Sequence, residues 1–220
     1  MKIAVLGATG RTGQYLVKQA LLKGHTVTAI VRSPAKLTVV HEKLKVTEGD
    51  VFCKDSLEHH LKGQDAVISC LGFSPTPLSG VNGYTRSMRT TIRAMQQVGV
   101  NRIITMTSWY TDPKSLMKTS FVFRLFLITM IQSVLSNMYE MEHFLKKTKD
   151  INWTVVRPPG LRNEAATVRE FLTYEGYFVP DSNGQPIGRH AVARGDVARF
   201  MLSLLDKNDW IKKGVAITTK

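Results

Sequence analysis

The sequence predicts a single doubly wound α/β domain over residues 1–220, in which helices cover both faces of a parallel sheet. Hydrophobic runs alternate with helical patterns from one end of the chain to the other, and such alternation is typical of this fold class. The runs, such as Val27–Val31 and Arg102–Thr107, are rich in β-branched residues, which suits strands that are buried on both faces. No linker, internal repeat or low-complexity segment divides the chain, and its length suits one domain.

The periodicity places seven strands and five helices along the chain. Two long connections, 71–81 and 108–135, follow strands at the carboxyl edge of the sheet, where ligands bind in this architecture. Strands are predicted near residues 2–6, 26–31, 44–47, 65–70, 102–107, 152–157 and 214–218, and helices near residues 11–23, 54–62, 82–98, 136–148 and 196–206.

The second connection contains a nearly unbroken apolar segment, Phe121–Met130. A membrane-spanning helix needs about 20 such residues, and Arg124 and Gln132 interrupt this one, so no membrane span is predicted. Three interpretations stay open for residues 121–135: a helix that lines the core or a substrate pocket, a dimer face, and a membrane-associated surface. We favour the first, and we expect a monomer or a weak dimer.

The formal net charge of +13 favours anionic partners such as nucleotide phosphates, carboxylate substrates, nucleic acid or acidic lipid. The basic residues are dispersed, and no interleaved aromatic and basic motif is present, so we expect one anion pocket and no nucleic-acid partner. Cys53 and Cys70 are expected to be free thiols. A strand that begins at Lys2 leaves no room for a signal peptide, so a cytoplasmic location is expected.

The most informative motif is the glycine turn Gly7-Ala8-Thr9-Gly10-Arg11-Thr12-Gly13, which joins the first strand to the first helix. Gly7 permits the tight turn, Gly10 lets the backbone approach a diphosphate, and Gly13 lets the helix pack closely on the sheet. Backbone amides at the helix start then face the phosphates. The turn therefore predicts a Rossmann-type dinucleotide site.

The end of the second strand predicts which dinucleotide binds. An NAD site usually has an acid there, which accepts hydrogen bonds from the ribose 2′-hydroxyl. This chain instead has Arg32 and Lys36, with Arg11 nearby in the turn, and an arginine can bind a 2′-phosphate with two hydrogen bonds. We therefore predict NADP(H). Asp50 is a candidate acceptor for the adenine amino group, with Val51 beside the ring, or it caps the next helix.

Several segments together resemble an atypical short-chain dehydrogenase/reductase, and more narrowly the NADPH-dependent flavin reductases, also called biliverdin-IXβ reductases. The resemblance covers nearly the whole chain and favours the adenine role of Asp50. The segments are the glycine turn, Val31-Arg32, Gly49-Asp50-Val51, Gly63-Gln64-Asp65-Ala66-Val67, Thr107-Ser108 and Trp153-Thr154-Val155-Val156-Arg157-Pro158-Pro159.

The resemblance implies reduction of free flavins and open-chain tetrapyrroles with NADPH, in a pocket over the nicotinamide. It implies that Thr107 and Ser108 line this pocket, that Leu71-Gly72 flank the cofactor, and that Pro158-Pro159 lie near the nicotinamide amide. The narrower family usually has a histidine after the proline pair, where this chain has Gly160. A histidine role is therefore not carried over, which weakens the case for tetrapyrroles more than for flavins.

Ser108 is the candidate catalytic residue, because it follows a buried strand and can orient the nicotinamide or the substrate; alternatively it caps a turn. The tyrosine–lysine dyad of many short-chain dehydrogenases is not expected: Tyr139 is followed four positions later by His143, and Pro113 separates Tyr110 from Lys114. Without a clear general acid, easily reduced conjugated acceptors are favoured. The predicted aromatic walls are Phe73, Trp109 and Tyr110.

The sequence thus predicts an NADPH-dependent reductase of FMN, FAD and riboflavin, with biliverdin and quinones as further acceptors. Flavin is expected as a small-molecule substrate and not as a tightly bound cofactor. The alternative is a non-catalytic NADP(H)-binding sensor of the NmrA-like type. No metal site is expected, because His59, His60, His143 and His190 do not cluster with acids or cysteines.

Overall fold

The computed structural model describes residues 1–75, 80–119, 121–188 and 191–220. Its strands are β1 (Lys2–Leu6), β2 (Thr26–Val31), β3 (Leu44–Glu48), β4 (Ala66–Ser69), β5 (Arg102–Met106), β6 (Asn152–Arg157), β7 (Gly160–Arg162), β8 (Phe171–Tyr174), β9 (Ala191–Ala193) and β10 (Lys213–Thr219). Its helices are α1 (Arg11–Leu22), α2 (Lys54–Leu61), α3 (Gly83–Val98), α4 (Pro113–Leu116), α5 (Phe121–Lys147) and α6 (Arg194–Ser203).

The predicted doubly wound α/β fold is confirmed. Eight strands form one sheet in the order β3-β2-β1-β4-β5-β6-β10-β8, and every neighbouring pair is parallel except β10 with β8. The seven predicted strands are the seven parallel ones of this sheet, with ends that differ by at most one residue. All four residues of β4 are buried, as expected for a strand covered on both faces.

The sheet separates two apolar cores, because successive strand side chains point to opposite faces. Ile3 and Val5 of β1 belong to the core beneath α1 and α6, whereas Ala4 and Leu6 belong to the core beneath α2, α3 and α5. Both layers therefore cover the central strands, and the ligand site is left to the edge where the parallel strands end.

Helix α5 differs most from the prediction, which started it at residue 136. It runs unbroken over 27 residues from Phe121, because this stretch contains no proline or glycine to stop it. The apolar segment 121–135 is thus the first half of a long helix. Val122, Leu125 and Met130 are exposed, and among the described residues no helix is long and apolar enough to cross a membrane.

Three short strands were not predicted. β8 pairs antiparallel with β10 at the sheet edge, with Tyr174 opposite Ala216. β7 and β9 form a separate parallel pair, with Leu161 opposite Val192. Segments of three or four residues are too short to show a period, so only long-range pairing defines them. Residues 76–79 of the predicted connection 71–81 lie outside the described part of the chain.

Candidate functional site

The glycine turn has the close backbone packing that its sequence predicts. Gly7 has a φ of +76°, and a Cβ on it would lie 2.7 Å from the carbonyl oxygen of Cys70. A Cβ on Gly13 would lie 2.2 Å from the carbonyl oxygen of Gly7. The turn is closed by the amide of Gly10, which donates to the carbonyl of Gly7 at 2.9 Å. A side chain at Gly7 or Gly13 would therefore push the strand, the helix or both apart.

The start of α1 offers free hydrogen-bond donors. The first helical hydrogen bond joins the amide of Gln14 to the carbonyl of Gly10 at 2.9 Å, so the amides of residues 11–13 precede the helical ladder. The first turn contains no acid, and Gly10 has no side chain to cap these amides. A diphosphate group fits this arrangement, because the amides and the helix dipole both favour negative charge.

A cleft of about 350 Å³ extends from this turn along the ends of β2 and β3. Among the described residues that line it there is no carboxylate, whereas Arg32 and Lys36 supply two exposed cations. Phe52, which the sequence analysis missed, adds an aromatic wall beside Val51. The predicted cofactor residues brought together here are Gly7, Thr9, Gly10, Arg32, Lys36, Val51, Leu71 and Gly72.

In the structure Asp50 forms the turn before α2. Its Oδ1 accepts the backbone amide of Phe52 at 2.9 Å, and its own amide donates to the Ser56 hydroxyl at 3.2 Å. The carboxylate closes the turn before α2 and does not line the cleft. The alternative interpretation, a turn or cap residue, therefore describes Asp50 better, because a short Asp side chain readily bonds the backbone two residues on.

A second cleft of about 750 Å³ adjoins the first at the carboxyl ends of β1, β4, β5 and β6. The two clefts share residues 70–73 and Gly10. Burial raises the pKa of the Cys70 thiol to about 12, so this shared floor is neutral. The predicted site residues that line the larger cleft are Gly10, Arg11, Thr12, Leu71, Gly72, Phe73, Thr107, Ser108, Pro158 and Pro159. Gly13 lines neither cleft, and its Cα packs closely against the backbone of Gly7 and Ala8.

Helix α5 supplies an apolar wall of the larger cleft, through Ile131, Val134, Leu135 and Met138. The pocket-helix interpretation of residues 121–135 is therefore correct for the second half of that segment. The apolar run was the sequence signal for a pocket helix. The position of this run over the cleft follows from the path of the whole helix.

Tyr84 is a further residue of this cleft that was not predicted as a site residue. It is 6% exposed, and its oxygen accepts the amide of Phe73 at 3.2 Å. Burial raises the pKa of its phenol, so the group stays protonated and retains a proton to donate. Its ring packs edge-on against Phe73, with centroids 5.0 Å apart.

Asn137 of α5 holds Tyr84 in place by capping α3. The side chain of Asn82, the residue before α3, makes no capping hydrogen bond. Instead Asn137 Oδ1 accepts the amides of Tyr84 and Thr85, at 3.0 and 3.3 Å. The cap comes from 53 residues further along the chain, so no local pattern could have indicated it.

Trp109 and Tyr110 do not form the predicted walls of the site. They are 1% and 6% exposed, and they pack with Val179 and Ala216 in a separate cluster. Neither residue lines the described part of either cleft. The chain turns away after Ser108, and Tyr110 adopts a φ of +63°, which directs both rings inward. Phe73, Tyr84 and Phe52 are the aromatic residues that reach the clefts.

A buried ion pair supports the end of β5. Glu142 and Arg157 have side chains 1% and 4% exposed and are joined at 2.6 Å. The hydroxyls of Thr107 and Thr111 also donate to Glu142, at 2.8 and 3.2 Å. Thr107 thus contributes to the cleft while its hydroxyl is committed to Glu142. The adjacent Ser108 hydroxyl has no partner within the described residues, so it is available to a ligand.

Neither Tyr110 nor Tyr139 is positioned to form a tyrosine–lysine dyad. Tyr110 precedes α4, which begins at Pro113, so Tyr110 and Lys114 do not share a helical face. Tyr139 and His143 are neighbours on α5, with rings 4.1 Å apart, outside the lining of the larger cleft. No group of three His, Cys, Asp or Glu residues in the described ranges could hold a metal ion, and His190 lies outside those ranges.

Arg194 is a further residue of the larger cleft that was not predicted. It is the first residue of α6, and its Nη1 donates to the carbonyl of Leu161 at 3.1 Å. Burial, and secondarily the positive charge of Arg11, lower the pKa of Arg194. Arg11 and Arg194 are the charged residues among those that line the described part of this cleft.

Comparison with known sequences agrees with this site. Residues 7–208 match the family described as NAD(P)H-binding. An uncharacterized chloroplastic protein of Arabidopsis thaliana is 29% identical over 199 residues, which are 82% of this chain and 68% of that protein. The chloroplastic protein TIC 62 of A. thaliana is 26% identical over 76% of this chain, which spans only 28% of the length of TIC 62.

Comparison with solved structures shows the same fold at low sequence identity. The oxidoreductase ylbE from Lactococcus lactis has a TM-score of 0.81 at 19% identity, with 100% of this chain and 91% of that chain covered. A proposed NADH-flavin reductase from Streptococcus pneumoniae has a TM-score of 0.78 at 22% identity, with both chains covered fully. A short-chain dehydrogenase/reductase from Veillonella parvula, in complex with NADP, has a TM-score of 0.75 at 16% identity, with 98% and 93% covered.

Proposed function

Because the chain belongs to the NAD(P)H-binding family, a Rossmann-fold family of oxidoreductase type, we propose that it reduces free flavins with NADPH. The flavin is a substrate that enters the larger cleft and leaves after reduction. FMN, FAD and riboflavin are the first acceptors of this proposal, and quinones and biliverdin are further ones. Gly160 stands where the flavin and biliverdin reductases have a histidine, so biliverdin is the weakest of these acceptors.

The preference for NADPH is supported by the charges of the smaller cleft. Arg32 and Lys36 line it without a carboxylate among its described lining residues. A guanidinium donates two parallel hydrogen bonds to a phosphate, whereas the 2′-hydroxyl of NADH offers no charge to either cation. The amides at the start of α1 hold the diphosphate, and Val51 and Phe52 flank the adenine.

The flavin assignment is carried by one observation, the composition of the larger cleft. It has about 750 Å³, an apolar wall from α5, and the hydroxyls of Ser108 and Tyr84, with no histidine or carboxylate among its described lining residues. When bound, the dinucleotide supplies a hydride. The chain's residues hold two planar rings in contact and exclude water, while Ser108 and Tyr84 donate hydrogen bonds to the acceptor. Such a site suits a conjugated acceptor that needs little acid catalysis.

The direct test is a steady-state assay of NADPH oxidation with FMN, riboflavin, a quinone and biliverdin as acceptors. We expect turnover with both flavins. Binding of NADPH without turnover of any acceptor would contradict the proposal and would favour the sensor function instead. NADH in place of NADPH is the matched comparison for the cofactor.

The replacement Arg32→Asp tests the cofactor assignment. We expect the KM for NADPH to rise by about 100-fold, since hydrogen bonds to a charged group are worth about 1.5–3 kcal/mol and the new carboxylate repels the phosphate. The KM for NADH should change by less than about threefold. Lys207→Asp, an equal charge change at an exposed residue outside both clefts, is the control. Equal changes in the KM values for NADPH and NADH would show that Arg32 does not bind the 2′-phosphate.

A further inference from the structure

The larger cleft carries a positive charge that the proposed cofactor contacts do not use. Its described lining includes two guanidinium groups, those of Arg11 and Arg194, and no carboxylate. The cations assigned to the 2′-phosphate, Arg32 and Lys36, lie in the other cleft. The diphosphate is assigned to backbone amides of the glycine turn. Two arginines therefore remain at the end of the groove where the acceptor enters.

Neither of these two arginines has a carboxylate partner among the described residues. Arg157 pairs with Glu142, and Arg199 pairs with Asp196. Arg194 donates through Nη1 to one backbone carbonyl, which leaves most of its five N–H donors available. Arg11 is exposed and has no hydrogen-bond partner within the described residues.

The positions of the two side chains are set by the fold. Gln19 Nε2 of α1 donates to the carbonyl of Gly195 at 2.9 Å, which joins α1 to the start of α6. Arg194 reaches the carbonyl of Leu161 in β7, directly after Pro158–Gly160. These two contacts hold the start of α6 against α1 and β7. Two guanidinium groups brought together without an acid repel each other, and an anion between them removes that repulsion.

We propose that Arg194, assisted by Arg11, forms a subsite for an anionic group, of the phosphate class, that the electron acceptor carries. This inference rests on the proposed function, since it requires that an acceptor enters the larger cleft. Its consequence is specificity: an acceptor with a phosphate group binds better than the same ring system without one. FMN and riboflavin are matched probes, because they share the isoalloxazine ring and differ in the phosphate.

The dinucleotide is a second source of phosphate groups, because its diphosphate is proposed to bind the turn that contains Arg11. The experiment therefore measures both ligands with wild type, Arg194→Gln and Arg194→Lys. Quenching of flavin fluorescence gives the Kd of FMN and of riboflavin in the presence of NADP⁺, and calorimetry gives the Kd of NADPH. Arg93→Gln is the control, because it removes one exposed arginine that lies outside both clefts.

We expect wild type to bind FMN about tenfold or more tightly than riboflavin, since a guanidinium–phosphate pair provides charge-assisted hydrogen bonds. Arg194→Gln should abolish this difference while the Kd of riboflavin and of NADPH change by less than about twofold. Arg194→Lys should retain part of it, because charge is kept and the planar fork is lost. Arg93→Gln should leave every value unchanged.

Three results would overturn the subsite. They are equal affinity of wild type for the two flavins, an equal loss of both flavins in Arg194→Gln, and a weakened Kd for NADPH alone, which would assign Arg194 to the cofactor diphosphate. If the proposed function fails, both flavins bind to wild type but NADPH is not oxidised. The preference for FMN over riboflavin then still tests whether the two arginines bind a phosphate.

Discussion

The two ends of the ligand groove are built in different ways. The smaller cleft is formed mainly by the first 52 residues, through the ends of β1, β2 and β3 and the backbone of the glycine turn. The larger cleft joins segments that lie between residues 10 and 194, and its walls are side chains. The smaller cleft, the proposed phosphate end, thus depends on local backbone geometry. The larger cleft, the proposed acceptor end, depends on contacts between distant parts of the chain.

This difference predicts which changes each end tolerates. At the phosphate end, a substitution fails because a new atom overlaps backbone. At the acceptor end, a substitution fails because a buried polar group loses a partner from another element. The variants Glu142→Ala, Gly13→Ala and Asn137→Ala distinguish these two kinds of damage. Urea unfolding gives the free energy of unfolding for each variant.

The largest effect is expected for Glu142→Ala, at the acceptor end. It leaves the Arg157 guanidinium, whose side chain is 4% exposed, without its carboxylate partner, and it removes the acceptor of the Thr107 hydroxyl. Breaking a buried ion pair on one side costs about 3–5 kcal/mol of unfolding free energy. Glu164→Ala is the control, because Glu164 forms an exposed pair with Arg162 and should cost less than about 1 kcal/mol. Similar losses for the two variants would contradict the long-range support of β5.

The next effect is expected for Gly13→Ala, at the phosphate end. The added Cβ would lie 2.2 Å from the Gly7 carbonyl oxygen, and neither atom can move away by a side-chain rotation. We expect a loss of about 3 kcal/mol, the upper range for overpacking, together with weaker NADPH binding because the turn is displaced. Gly188→Ala is the matched control, since nothing lies within 4 Å of its added Cβ. A stable Gly13→Ala variant with normal NADPH affinity would show that the turn adapts.

The smallest effect is expected for Asn137→Ala, which removes the cap that α5 provides to α3. Loss of a helix cap costs about 0.5–2 kcal/mol. Because the same cap positions Tyr84, the KM for the flavin should rise while the Kd of NADPH is unchanged. Asn163→Ala, at an exposed residue outside both clefts, is the control. An unchanged KM for the flavin would show that the cap does not affect the acceptor site.

The sequence predicted those features that are encoded within a few neighbouring residues. The glycine spacing after a buried strand indicated a dinucleotide turn, and the absence of an acid after β2 pointed to Arg32 and Lys36. Both inferences rest on properties of glycine and arginine that need no distant partner. The seven parallel strands were also predicted, since each carries its own run of β-branched residues.

The predictions failed where position in space depends on a remote element. Trp109 and Tyr110 follow Ser108 directly, yet the turn at φ +63° directs them into a separate buried cluster. No local motif around Tyr84 indicates a site residue. Asn137, which holds Tyr84 in place, is 53 residues away along the chain.

A class of fold, a phosphate-binding turn and a charge preference can therefore be read from residues in order along the chain, because backbone sterics and strand burial are local. The walls of the larger cleft, the partners of Glu142 and the presence of Arg11 and Arg194 in one cleft cannot be read in this way. These arrangements exist only after α5 and α6 have packed on opposite faces of the sheet, which brings side chains more than 180 residues apart into one cleft.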